Sequence, residues 1–194
     1  MSLLPYAVER REISPSCFVE VRRAWLQRWA DRDQQVAVWK ALGPFWGSYT
    51  MWVPAARRRL TLPRLEAVFG PKGYGYRYGG SERVYECQPF PVELERVLVQ
   101  LQQEIHADFN ACFANLYRTG ADSLSWHSDD EPNLGPDPLD DIVIGTVSLG
   151  GPRRFRMKPK AGGEALGWDL EHGDLLVMRG ACQRDWLHAV PKTK

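Results

Sequence analysis

The sequence predicts an α+β fold in which N-terminal helices pack against one sheet of a double-sheet jelly roll, also called a double-stranded β-helix. Two segments with helical periodicity precede residue 110, and beyond it apolar residues recur with a period of two in several short segments. Glycine and proline residues separate these short segments, as in folds built from many strands and turns. The 194 residues are enough for one domain with a sizeable core.

Apolar residues at helical spacing predict two helices. Ser14 and Pro15 are typical of an N-cap and a first helical position, and the apolar residues after them predict a helix over residues 15–30. Trp25 and Trp29 lie on this apolar stripe, which favours packing in the core over stacking on a base. A second stripe predicts a core-facing helix over residues 94–105.

Alternation of apolar and polar residues predicts the strands of the jelly roll. It favours strands at residues 112–117, 142–149, 154–157 and 174–178. Residues 133–138 contain one glycine and two prolines, which predicts a loop. We therefore expect short strands joined by turns behind the two helices.

Two histidines and one aspartate form a candidate metal site. His127 and Asp129 are two residues apart, so in an extended segment their side chains leave the same face. His188 is far along the chain, and two His with one carboxylate match the facial arrangement of non-haem Fe(II) oxygenases, which leaves positions open for a cosubstrate and dioxygen. Since Asp130 and Glu131 follow directly, an acidic surface loop is the alternative interpretation of the short motif.

Three tyrosines mark a second candidate site. Tyr74, Tyr76 and Tyr78 occupy alternate positions next to several glycines, so in an extended hairpin their rings share a face. The rings could cover the core. They could also belong to a flexible lid that stacks on an extruded base, and the flanking glycines favour this second interpretation.

The charge is nearly balanced overall, with 25 basic and 24 acidic residues, but unevenly distributed. Residues 1–120 carry a net charge of +4 and residues 121–194 a net charge of −3, which would suit a polyanion held by the N-terminal part. Arg57, Arg58 and Arg59 fall in a predicted irregular connection. They could form a solvated surface or contact phosphates.

The cysteines and the lengths of the apolar runs indicate the cellular compartment of the protein. Cys17, Cys87, Cys112 and Cys182 lack CxxC spacing, which argues against a zinc ribbon or redox motif and predicts reduced, mostly buried thiols. No apolar run is long enough for a signal peptide or a membrane span. We expect a monomer without membrane contact, in the cytoplasm or, if the source is eukaryotic, in the nucleus.

Five strings in the second half of the sequence resemble, in order, the AlkB family of Fe(II)- and 2-oxoglutarate-dependent nucleic-acid demethylases. Within that family the likeness is to the branch of the eukaryotic DNA-repair homologues, and it runs from about Pro63 to the C-terminus. The most specific string is WHSDDEP, and the five are Asn115-Leu116-Tyr117-Arg118, Trp126-His127-Ser128-Asp129-Asp130-Glu131-Pro132, Val147-Ser148-Leu149-Gly150, His172-Gly173-Asp174-Leu175-Leu176-Val177-Met178 and Trp186-Leu187-His188-Ala189-Val190-Pro191.

The resemblance implies the chemistry and the role of each candidate residue. It implies oxidative demethylation of 1-methyladenine and 3-methylcytosine in DNA or RNA with Fe(II), O2 and 2-oxoglutarate, releasing formaldehyde, succinate and CO2. His172 is the rival third metal ligand, but the family places that ligand after the following strand. The implied roles are metal binding for His127, Asp129 and His188, 2-oxoglutarate binding for Asn115 and Tyr117, and nucleotide binding for Tyr76, Arg77, Tyr78, Asp130 and Glu131.

The resemblance also implies a domain organisation. We expect a single dioxygenase domain over residues 1–194, with an N-terminal extension and helix at 1–62, a nucleotide-recognition lid at 63–90, and a helix with the jelly-roll core at 91–194. The family continues past the last ligand into a strand whose arginines pair with 2-oxoglutarate. The sequence has no such strand before Lys194, so we expect either a shortened chain or weakened cosubstrate binding.

Two other functions stay open on the sequence. One is a catalytically impaired nucleic-acid-binding jelly roll that keeps a vestigial metal site. The other is a 2-oxoglutarate oxygenase that acts on RNA or on a protein side chain. The tyrosine segment favours a base over a peptide as the substrate.

Overall fold

The computed structural model describes residues 7–53, 57–77, 84–131 and 142–194, and for Val53, Tyr76 and Arg77 only the backbone. No helix in these ranges combines the length and the apolar character that crossing a membrane would take. The elements, in chain order, are β1 (Val8–Ser14), β2 (Cys17–Arg22), α1 (Arg32–Leu42), β3 (Thr50–Val53), β4 (Arg58–Thr61), β5 (Leu65–Phe69), β6 (Gly75–Arg77), β7 (Val84–Glu86), α2 (Val92–Ile105), β8 (Cys112–Leu116), β9 (Leu124–His127), β10 (Ile144–Val147), β11 (Arg153–Pro159), β12 (Leu166–Leu170), β13 (Leu175–Gly180), α3 (Cys182–Asp185) and β14 (Trp186–Val190).

The described chain groups into two compact units. The first unit spans Met1–Val36 and Ser125–Pro191, and the second spans Ala37–Leu124 and Lys192–Lys194. The strands β1-β2-β13-β10 form one four-stranded sheet, here called the first sheet, and β12-β11-β14-β9 form another, the second sheet. The pairs β3-β4, β5-β8 and β6-β7 form two-stranded sheets. A mixed α/β fold with antiparallel sheets is thereby confirmed; the single domain stays a prediction.

The predicted helix over residues 15–30 is wrong, because most of this segment is a strand and a turn. Ser14 pairs with Cys17 across a two-residue turn, with Pro15 at its first position and a positive φ of 71° at Ser16. Proline favours the position directly after the first strand in such turns, where Pro15 lies, as well as the start of a helix, so the Ser-Pro pair fits both. In β2, fully buried Cys17, Val19 and Val21 alternate with partly exposed residues, which is the strand period.

The second predicted helix is confirmed, as are the strands predicted beyond residue 110. α2 buries Val97, Leu101 and Ile105 on one face, and it ends at His106, whose backbone is left-handed (φ 55°, ψ 50°). The strands β8, β10, β11 and β13 occupy the four predicted segments, with bounds shifted by a few residues. The loop predicted at residues 133–138 lies outside the described residues.

Two local predictions about the N-terminal part have different outcomes. Trp25 is fully buried, which confirms that it packs in the core, whereas Trp29 is half-buried and packs edge-on against the Trp25 ring. The arginine run is not an irregular connection throughout, because Arg58 and Arg59 lie in β4, paired with β3. All three arginines are exposed, which fits a solvated surface and a phosphate contact alike.

A disulfide joins Cys17 of β2 to Cys182 of α3, so the prediction of four reduced thiols is wrong for this pair. The two cysteines are 165 residues apart in sequence, but β2 pairs with β13 in register Cys17 to Gly180, which brings Cys182 beside Cys17. Only this tertiary pairing reveals the bond. Cys87 and Cys112 are not in a disulfide, as predicted, and burial raises the pKa of Cys112 to about 12.

Candidate metal centre

His127 is the last residue of β9, and a backbone contact fixes its ring. The Nδ1 atom lies 2.8 Å from the carbonyl oxygen of Ser125. A carbonyl oxygen can only accept a hydrogen bond, so the proton is on Nδ1 and the lone pair is on Nε2. Nε2 is therefore the nitrogen that can bind a metal ion.

His188 lies in β14, next to Met157 of β11, and is 5% exposed. The ring of Phe155 stacks on the His188 ring with 5.4 Å between centroids and an angle of 19° between planes. Burial and then the neighbouring His127 lower the pKa of His188 well below its usual value. The imidazole is therefore neutral, which is the form that binds metals.

The ligand atoms of His127, Asp129 and His188, here called the metal-ligand cluster, converge on one point. The carboxylate oxygens of Asp129 lie 3.6 Å from Nε2 of His127 and 3.4 Å from Nε2 of His188. All three ligand atoms lie within 4.8 Å of one another. Atoms that share one metal ion at about 2.1 Å and at right angles lie about 3 Å apart, so the cluster fits one ion after small adjustments. Two imidazoles and one carboxylate are the donor set that suits Fe(II).

The carboxyl group of Asp129 is in a place that favours a bound cation. Burial, followed by the negative charges of Glu131 and Asp130, raises the pKa of Asp129 to about 7. An ionised carboxylate that is largely buried beside two other acids is costly without a positive partner. A divalent cation between Asp129 and the two histidines would remove that cost.

Asp129 itself lies beyond the end of β9, in residues 128–131, here called the ligand turn. Its backbone N–H donates to the side-chain oxygen of Gln183 over 2.9 Å, and Gln183 is fully buried in α3. Sequence reasoning missed Gln183, because 54 residues separate it from its partner and no motif marks it. The contact becomes visible only when β13 and β14 place α3 against the ligand turn.

The other two acids of the ligand turn have different surroundings. Asp130 accepts hydrogen bonds from the Ser128 hydroxyl (2.7 Å) and the Lys160 ammonium (3.0 Å). Partial burial would raise the pKa of Asp130, but these two hydrogen bonds outweigh it and lower the pKa. Glu131 is 7% exposed. Their predicted contact with a nucleotide stays a prediction.

Asn115, one of the two residues expected to bind 2-oxoglutarate, is part of a polar network in the second unit. Its side-chain oxygen accepts a hydrogen bond of 2.9 Å from Nε of Arg64. Arg64 also pairs with the fully buried Glu66, which accepts a hydrogen bond of 2.8 Å from the Tyr85 hydroxyl. Tyr117 directly follows β8 and is half-buried.

The tyrosine segment forms part of a hairpin, as predicted. β6 and β7 are antiparallel, with Tyr76 opposite Tyr85 and Arg77 opposite Val84. The side chains of Tyr76 and Arg77, and the whole of Tyr78, lie outside the described residues. The predicted lid contacts therefore stay predictions.

His172, the rival metal ligand, has a structural role. Its Nδ1 accepts a hydrogen bond of 3.0 Å from the backbone of Gly150, so Nε2 carries the proton and donates to Gln35 over 2.7 Å. Both ring nitrogens are thus occupied, and they tie the turn before β13 to α1 and to the segment after β10. This agrees with the expectation of a structural turn histidine.

Comparison with a family model matches residues 21–194 to the 2OG-Fe(II) oxygenase superfamily. The match includes the metal-ligand cluster and extends over most of both units. A solved structure of OsALKBH1 superposes on 95% of this chain and 89% of its own chain, with a TM-score of 0.63 and 18% sequence identity. At that identity the likeness concerns the fold.

Curated relatives match the chain in sequence. The alkB homolog 3 α-ketoglutarate-dependent dioxygenases of Bos taurus and Homo sapiens are 38% and 39% identical to it over 139 and 140 residues. The DNA oxidative demethylase ALKBH2 of Arabidopsis thaliana is 36% identical over 132 residues. These alignments cover 67%, 67% and 56% of this chain but 46%, 46% and 40% of the relatives, so the chain spans less than half of their length.

Proposed function

The chain belongs to the 2OG-Fe(II) oxygenase superfamily, and we propose that it oxidatively demethylates N-alkylated bases in DNA or RNA. Membership confirms the predicted cofactors, which are Fe(II), 2-oxoglutarate and O2, and the relatives confirm the resemblance to the AlkB family. The substrates implied by that resemblance are 1-methyladenine and 3-methylcytosine. The convergence of His127, Asp129 and His188 within 4.8 Å is the observation that carries the proposal.

The two four-stranded sheets of the first unit are the proposed jelly roll. They contain eight strands, as a jelly roll does, and the family match over residues 21–194 includes all of the second sheet and, in the first sheet, β10 and β13. We place the whole of residues 1–194 in one dioxygenase domain, with the lid at residues 63–90.

The metal would be held by Nε2 of His127, the carboxylate of Asp129 and Nε2 of His188. When bound, iron and 2-oxoglutarate would let O2 act as the oxidant, with one of its oxygen atoms going to the target methyl group and the other to 2-oxoglutarate. The hydroxymethyl group then leaves the base as formaldehyde, while the cosubstrate becomes succinate and CO2. The carbonyl of Ser125 keeps the proton of His127 on Nδ1, and burial against Phe155 keeps His188 neutral.

Asn115 and Tyr117 would bind the cosubstrate through an amide and a phenol. Because Nε of Arg64 already donates to the side-chain oxygen of Asn115, the Asn115 NH2 group is the part of the amide left to donate to a carboxylate. Tyr117 would add a phenolic O–H donor.

Binding of a polyanion is supported by the outer face of the second sheet. The Arg156 guanidinium and the Lys158 ammonium lie 5.7 and 4.6 Å from the centre of the Trp126 ring. Neither cation has an ion pair with a described residue. Cations beside an aromatic ring can contact phosphates and a base together. Tyr76, Arg77, Tyr78, Asp130 and Glu131 are the proposed contacts to the flipped nucleotide itself.

The test is mass spectrometry of a single-stranded oligonucleotide with one 1-methyladenine, incubated with protein, Fe(II), 2-oxoglutarate and ascorbate. We expect loss of the methyl group that depends on both iron and 2-oxoglutarate. His127→Ala should abolish it, whereas His172→Ala, which changes a histidine outside the metal-ligand cluster, should keep it. Full activity of His127→Ala would contradict the site. Binding of the oligonucleotide with no turnover of 2-oxoglutarate would favour the alternative binding protein.

A further inference from the structure

We propose that Gln183 is a positioning residue for the metal centre. Its side-chain oxygen holds the backbone of Asp129 in the place where the Asp129 carboxylate reaches the ion bound by His127 and His188. The inference rests on the proposed function, because it concerns the same metal centre. It adds a residue that lies in neither of the motifs that contain the ligands.

Asp129 needs such support because it alone of the three ligands lies outside a strand. His127 ends β9 and His188 lies within β14, so the sheet ladder fixes the backbone of both histidines. Asp129 is two residues past the end of β9, in the ligand turn. A turn without a partner for its N–H groups can adopt several conformations, and many of them would turn the carboxylate away from the histidines.

The orientation of the Gln183 side chain follows from its two contacts. Its oxygen accepts the N–H of Asp129 at 2.9 Å, and its NH2 group lies 3.6 Å from the sulfur of Met178. An N–H can only donate, so the oxygen must face Asp129 and the NH2 group the weakly accepting sulfur. Gln183 is fully buried, where an unmet amide is costly, and this restricts the side chain to that orientation.

The backbone of Gln183 is also held in place. Cys182, its neighbour, is bonded covalently to Cys17 of β2. The Lys160 ammonium donates to the carbonyl of Gln183 and to the carboxylate of Asp130, both at 3.0 Å, so it bridges α3 and the ligand turn. Gln183 therefore projects from a fixed point, which a residue that positions a metal ligand requires.

The matched pair of variants is Gln183→Met and Met178→Leu. Gln183→Met keeps the length of the side chain and removes the oxygen that accepts from Asp129. Met178→Leu changes the other contact of the same amide and leaves the Asp129 bond intact. Affinity for Mn(II), measured by electron paramagnetic resonance without 2-oxoglutarate or nucleic acid, should fall about 10- to 100-fold in Gln183→Met. In Met178→Leu, which keeps the oxygen that accepts from Asp129 and removes only the partner of the NH2 group, the fall should be smaller.

Hydrogen exchange of the Asp129 amide in the metal-free protein is the second readout. In the wild type this amide should be protected, although it lies in a turn, and in Gln183→Met the protection should be lost. Equal Mn(II) affinity in Gln183→Met and the wild type would overturn the proposal. If Gln183→Met does not fold, exchange in the wild type decides, because an unprotected Asp129 amide would overturn it equally.

These readouts separate this proposal from the proposed function. Neither needs turnover, so a wild type that demethylates its substrate while Gln183→Met keeps full Mn(II) affinity would overturn only the role of Gln183. A wild type without demethylase activity whose Mn(II) affinity falls in Gln183→Met would support the role of Gln183 and contradict the proposed function.

Discussion

The first and second sheets differ in what their central strands bury. In β13 of the first sheet, four consecutive residues, Leu175 to Met178, are buried, so both faces of that strand are covered. In β11 of the second sheet, buried Phe155 and Met157 alternate with more exposed basic residues. A strand covered on both faces can only stabilise the fold, whereas a strand with one covered face can also present functional side chains. Stability and chemistry are therefore divided between the two sheets.

The short helix α3, which joins the two sheets, contributes both to stability and to the metal centre. α3 connects β13 of the first sheet to β14 of the second. Cys182 ties α3 to β2 of the first sheet, while Gln183 supports the ligand turn that follows β9 of the second sheet. The first sheet thereby helps to hold Asp129, the metal ligand that lies beyond the end of β9 and is not fixed by the second sheet.

Removal of a ligand from the second sheet should have the largest effect. His188→Ala takes away one of the three metal ligands and leaves the first sheet unchanged. We expect Mn(II) affinity to fall by more than the roughly 100-fold that outer contacts contribute, with demethylation lost. The far-ultraviolet circular dichroism spectrum should stay native, and His106→Ala at the end of α2 is the control. Native metal affinity in His188→Ala would contradict the assignment of the ligands.

A cavity in the first sheet should give the opposite pattern. Leu176→Ala removes a fully buried side chain from β13, and such changes lower the free energy of unfolding by about 2–5 kcal/mol. Urea denaturation measures this, with Val8→Ala as a control, since Val8 is 47% exposed in β1 of the same sheet. Mn(II) affinity of the folded Leu176→Ala protein should be unchanged. A large loss would show that the two sheets are not separable in this way.

Metal affinity should depend on pH through Asp129. Its pKa of about 7 in the metal-free protein means that below pH 7 a proton must leave before the carboxylate binds an ion. The pKa of His188 is lowered, so that ring is already neutral in this range. Mn(II) affinity should be constant well above pH 7 and fall up to about tenfold per unit below it. Affinity that is the same at pH 6 and pH 8 would contradict a buried acid in this position.

The smallest effect should come from the outer edge of the second sheet. Arg154 of β11 and Asp169 of β12 form an ion pair whose side chains are 51% and 67% exposed. Exposed pairs of this kind contribute below about 1 kcal/mol. Asp169→Asn should therefore change the free energy of unfolding by less than that amount and leave Mn(II) affinity unchanged. A larger loss of stability would mean that this edge is not as peripheral as its exposure suggests.

Local patterns in the sequence predicted the parts of the molecule that depend on near neighbours. The stripe of Val97, Leu101 and Ile105 defined α2, because a helix repeats its face every few residues. The spacing of His127 and Asp129 placed both side chains on one side of the chain. The choice of His188 over His172 as the third metal ligand rested on the family resemblance. Both residues are histidines, so residue type alone could not distinguish them.

What the sequence could not predict depends on contacts between distant segments. The apolar residues after Ser14 fit a helix and a strand about equally, and the pairing of β2 with β1 and β13 decided for the strand. The bond between Cys17 and Cys182 and the support of Asp129 by Gln183 arise from that same arrangement. Neither has a local signature.

The most direct test of the account is anomalous diffraction from crystals grown with Mn(II) and 2-oxoglutarate. We expect one strong peak bound by Nε2 of His127, the Asp129 carboxylate and Nε2 of His188, with 2-oxoglutarate on the open side of the same ion. A peak that lacks one of these three ligands, or 2-oxoglutarate bound elsewhere, would contradict the account.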